Sequence, residues 1–146
     1  MNLSPGITHL ARQVLTLESL PLDTSASEME KAARACEKLR ISLTKLVGAS
    51  GFSVLLARSV ALALKKDPSL LPLHVEMDGS LTGVNEVRRG LNGSHVAHQG
   101  GAIVLAELLG LLVSFIGESL TLTLVREAWP NVSTDPTAAD STKETP

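Results

Sequence analysis

Apolar residues recur at helical spacing along most of the chain, and the way each run ends predicts where one element gives way to the next. From about Gly6 to Ser19, Ile7, Leu10, Ala11, Val14, Leu15 and Leu17 supply one apolar surface, with Arg12 and Glu18 on the wet side. Ser4-Pro5 suits a helix start, and Leu20-Pro21-Leu22 ends it. A second helix begins at Ser27, which with Glu30 has capping-box spacing. Behind it, Met29, Ala32, Cys36, Leu39, Leu43 and Leu46 recur at alternating steps of three and four, a seam of coiled-coil type. Glu28, Lys31, Arg34, Glu37, Lys38, Arg40 and Lys45 fall off that seam and are expected in water. Gly48 to Gly51 breaks the run.

A third helix, about Gly51 to Lys66, is apolar on nearly every side, with Arg58 its one interior charge. Lys65-Lys66 complements its C-terminal dipole, and Asp67-Pro68 stops it. The pattern then changes period. Leu73, Val75 and Met77 alternate with His74 and Glu76 before Asp78-Gly79, which predicts a small β-hairpin. A short helix is expected near Val84 to Leu91, then a Gly-rich linker from Asn92 to Gly101. The last helix, about Ala102 to Ala128, ends at Trp129-Pro130. The residues after Pro130 carry almost no large side chain and are expected to be a disordered tail, leaving residues 1–130 as one domain. The fold class is therefore all-α: a bundle of about five helices with a hairpin insertion and the long apolar C-terminal helix as its central strut.

Residues Ala102 to Val125 are nearly long and apolar enough to span a bilayer, but two carboxylates interrupt them. Glu107 and Glu118 are eleven residues apart, which at about 100° per residue returns them to one face of an unbroken helix. A single polar stripe on an apolar helix fits burial inside protein better than burial in lipid. An ionised carboxylate there needs a cation, and Arg58 is the obvious one. Arg58 is thus expected to pair with Glu118, and secondarily with Glu107. A structural pair that fixes helix register outweighs a polar site in a pocket, because buried pairs are most often structural.

Composition narrows the chemistry. The net charge of -2 gives no electrostatic reason to expect nucleic acid or an anionic membrane as partner, and with only Phe52, Phe115 and Trp129 as aromatics the stacking platforms of a nucleic-acid binder are missing too. Cys36 is the single cysteine, so no internal disulfide forms; this and the lack of a basic, apolar leader at Met1 point to the cytoplasm. His95 and His98 have a spacing that suits a metal only on a helix and only with further ligands, for which His74 and Glu76 are the distant candidates. Solvated loop histidines are the better reading, and neither metal nor cofactor is expected. Cys36 on the apolar seam reads as an inert core thiol. No phosphate loop follows Gly100-Gly101 or Gly48.

Gly51 through Ala63, the Asp78-Gly79-Ser80-Leu81 turn, and Leu108 through Pro130, notably Phe115-Ile116-Gly117-Glu118 with Thr121-Leu122, carry a likeness. Over roughly Leu39 to Pro130 the chain resembles a group of small bacterial proteins of unknown function. That resemblance implies a bacterial origin and brings no catalytic residue with it. The expected function is a non-catalytic interaction module, an adaptor, regulator or self-associating protein with a protein partner. The alternatives are a carrier of a hydrophobic ligand whose acidic headgroup meets Arg58, and a membrane-associated protein using residues 102–125.

Overall fold

The computed structural model describes residues 5–18, 28–84, 86, 100–130 and 132. The chain is mostly helical with one two-stranded antiparallel sheet. Helix α1 is Pro5–Glu18, and Leu10, Ala11, Val14 and Leu15 are its buried stripe. Helix α2 is Glu28–Lys66 and is broken at Gly48, whose φ of 81° and ψ of 163° lie where a side chain is hardly tolerated. It therefore has two limbs, residues 28–47 and 49–66. On the first limb Ala32, Cys36, Leu39 and Leu43 are buried, so the coiled-coil seam is used inside the chain. Leu46 is about half exposed where the seam leaves the core.

A 3-10 turn, Pro68–Leu70, follows α2 with Asp67 as its cap: Asp67 Oδ1 accepts from the Ser69 N–H at 3.1 Å and hydroxyl at 2.6 Å. Strands β1 (His74–Val75) and β2 (Leu81–Thr82) then pair with His74 opposite Thr82 and Val75 opposite Leu81. Asp78-Gly79 makes the expected turn, in which the Gly79 N–H donates to the Glu76 carbonyl at 2.9 Å. The hairpin tip lies across the bend of α2. Buried Gly79 sits over Phe52 of the second limb and against the Arg40 stem of the first, and the Ser53 hydroxyl donates to the Glu76 carbonyl at 2.9 Å.

Helix α3, Gly100–Ile116, is the core of the molecule. Leu105, Ala106, Glu107, Leu108 and Leu109 are buried in succession, which requires protein on all sides. It makes its most extensive contact with α2 and a further one with α1. Helix α4, Glu118–Ala128, is amphipathic instead, burying Thr121, Leu124 and Val125. The expected single helix from Ala102 to Ala128 is thus two helices, separated at Gly117 (φ 93°, ψ 155°). The Thr121 hydroxyl donates to the Gly117 carbonyl at 2.7 Å and anchors the start of α4.

Trp129 and Val132 are buried, and Lys38 Nζ stands 5.7 Å above the indole ring. The other residues of the expected tail, most of the helix expected over Val84 to Leu91, the Ser27 cap, and His95 and His98 lie outside the described residues.

Candidate functional site

Of the two carboxylates expected on the last helix, the buried one is Glu107, 2% exposed, and its cation is Lys66 rather than Arg58. Lys66 Nζ stands 2.6 Å from Glu107 Oε2. The approach is close but poorly directed, so Oε2 has a charge partner without a well-formed hydrogen bond among the described residues. The pair ties the end of α2 to the middle of α3. Gly100 packs so closely on Leu70 that a Cβ there would come within 2.8 Å of its Cδ2.

Arg58 and Glu118 do not meet in the interior; both are exposed. For Glu118 the reason is Gly117, which resets the helical phase so that Glu118 opens α4, where a carboxylate complements the dipole. For Arg58 the reason is rotation. The inward polar residue of the second limb is its neighbour Ser59, fully buried, whose hydroxyl donates to the Leu55 carbonyl at 2.9 Å. Ser114 is also exposed, whereas Thr121 is buried.

Cys36 is buried, and desolvation, aided by the charge of Glu37, pushes its thiol up to about 12. Such a thiol is neither a nucleophile nor a ligand at neutral pH. His74 and Glu76 do approach each other, Nε2 to Oε2 at 3.7 Å, on the open surface of the hairpin. Among the described residues no group of three or more His, Cys, Asp or Glu side chains converges. Asp78 is held below the usual carboxylate range by the Ser80 hydroxyl and backbone N–H, which fixes the turn.

What remains is a surface. On the second limb, Phe52, Leu56, Ser59, Val60 and Ala63 face the core. Val54, Arg58, Ala61 and Lys65 are exposed and fall within an arc of about 60° on the opposite side. Val54 is 68% exposed, Ala57 extends the arc on one flank, and half-buried Leu55 and Leu62 border it on the other. Charge adds a feature that periodicity missed. Between Glu37 and Asp67 the sequence has Lys38, Arg40, Lys45, Arg58, Lys65 and Lys66 and no acidic residue. Arg40 is paired with Glu37, Lys66 with Glu107, and Lys38 lies on Trp129. Lys45, Arg58 and Lys65 are exposed, and Arg58 and Lys65 belong to the arc.

No protein-family model, curated protein or solved structure matches the chain.

Proposed function

We propose that this chain is a small, non-catalytic docking module, an adaptor or regulator that works by contact, and that its contact surface is the outward face of the second limb of α2. The observation that carries this reading is the uneven use of apolar helix. Residues Glu30–Lys66 are long and apolar enough by composition to cross a membrane, yet on the second limb Val54, Ala57 and Ala61 are exposed. Helix α3, which is more apolar still, is enclosed. A contiguous exposed apolar patch marks a contact surface, and here Val54, Ala57 and Ala61 lie side by side on one face. With the first-limb seam spent on internal packing, self-association through that seam loses its support, and the docking surface moves past Gly48.

The carrier alternative needs Arg58 at the floor of a pocket, and its exposure takes that anchor away. The membrane alternative through residues 102–125 meets the break at Gly117 and the enclosure of α3. A photo-crosslinking residue placed at Val54, with a control at exposed Glu127, tests the docking reading in cells expressing the full chain. Discrete protein or lipid adducts at position 54 and none at 127 are expected. Equal labelling at both, or none at either, contradicts it.

A further inference from the structure

We infer, on the reading that this face is a docking surface, that what it meets is an anionic lipid bilayer, engaged peripherally by the arc Val54, Arg58, Ala61 and Lys65. Three features of the arc point to lipid. Its charges are of one sign: Arg58 and Lys65 stand four and eleven residues beyond Val54, with no carboxylate on the whole of residues 49–66. A second copy meeting the arc with its own arc would set these cations against their own counterparts without a counter-charge. An anionic headgroup layer supplies that counter-charge along its full extent.

The apolar part of the arc is aliphatic. Val54 and Ala61, flanked by Ala57, Leu55 and Leu62, include none of the aromatic anchors that dominate protein interfaces. Long basic side chains can extend to the phosphates while Val54 and the flanking leucines sit below them.

The third feature is depth. The opposite side of the limb, through Phe52, Leu56, Val60 and Ala63, is packed into the core. The limb therefore lies on a membrane and does not cross one while the fold is intact.

Co-sedimentation of the full chain with phosphatidylglycerol–phosphatidylcholine vesicles, against phosphatidylcholine alone, tests this. Binding to the anionic vesicles only is expected, falling several-fold as salt rises from about 0.1 M to about 0.5 M. Arg58→Glu with Lys65→Glu should weaken it by roughly fivefold or more for each basic charge lost. Arg12→Glu with Arg126→Glu, an equal change in net charge on exposed positions of α1 and α4, should leave most of the binding. Thermal melts of both double variants check that the fold is retained.

Equal binding to neutral vesicles, indifference to the Arg58/Lys65 reversal, or resistance to alkaline extraction would each overturn the inference. If the vesicles are not bound while position 54 still crosslinks to a discrete protein, the lipid assignment falls and the docking reading stands. If neither occurs, both fall.

Discussion

Lys66 reaches back from the last turn of α2 to place its ammonium 2.6 Å from the carboxylate of Glu107 in the most enclosed helix of the molecule. The relationship is unequal: Glu107 is 2% exposed and the Lys66 side chain 46%. Removing the lysine therefore leaves a buried charge uncompensated, whereas removing both leaves an apolar contact. Lys66→Met should cost about 1–3 kcal/mol, toward the low side because solvent reaches the lysine. Lys66→Met with Glu107→Leu should recover most of that loss in urea denaturation. A double variant no more stable than the single one would show that the pair is not an isolated charge–charge contact.

Gly83 and Gly48 both have positive φ, but their surroundings differ. A Cβ on Gly83 would lie 2.0 Å from the Pro72 carbonyl oxygen, while one on Gly48 meets nothing within 4 Å. Gly48→Ala should carry only the backbone penalty of about 1–3 kcal/mol. Gly83→Ala adds a clash with immobile backbone and should cost about 4 kcal/mol or more, or displace the hairpin. The order of the two in chemical denaturation is the check, and the reverse order would mean that the hairpin is not seated as described.

Cys36 gives a signed pH dependence. Its thiol is raised from 9.0 to about 12 in the folded chain, chiefly by desolvation. Below the lower value the thiol is protonated in both states and contributes no slope. Between the two values the unfolded state loses the proton and the folded state keeps it, so the unfolded state binds fewer protons and stability falls as pH rises. Cys36→Ala should remove up to about 1.4 kcal/mol per pH unit of that decline over this window. At neutral pH, a thiol reagent should modify the native protein only as fast as it unfolds. Rapid native labelling would contradict the buried placement.

Much of the architecture was legible because its signals are local. Gly48 interrupts an apolar seam, Asp78-Gly79 follows an alternating run, and residues 102–112 are apolar but for Glu107; the bend, the hairpin and the core helix follow. Gly117 was not legible. A glycine among Phe115, Ile116 and Leu120 looks like a packing glycine, and only the fold shows it ending one helix and starting another. Carrying the helical phase through it put Glu118 beside Glu107. Arg58 failed for a different reason: a helix apolar on nearly all sides has no hydrophobic phase to read, so Arg58 and Ser59, one residue and about 100° apart, exchange places between surface and core. Lys66 went unnoticed because a lysine at a helix C-terminus already has a sufficient local explanation in the dipole.

The same phase sets how the second limb responds to substitution. Val54→Asp and Ala61→Gln should change stability by no more than about 0.5 kcal/mol, since both positions are exposed. Leu56→Ala should cost about 2–5 kcal/mol, since Leu56 is fully enclosed. A thermal-shift series across these three positions checks the contrast, and a large loss at Val54 would place that side chain against the protein.

The outward face is tested most directly by thiol labelling of single-cysteine variants built on Cys36→Ala. Cysteines at positions 54, 57 and 61 should react with a maleimide at rates close to those of the unfolded chain, and cysteines at 56, 59 and 63 should be protected by orders of magnitude. Protection at 54, 57 and 61 in the detergent-free monomer, or reactivity at 56, 59 and 63, would contradict the orientation of the limb and with it the docking surface.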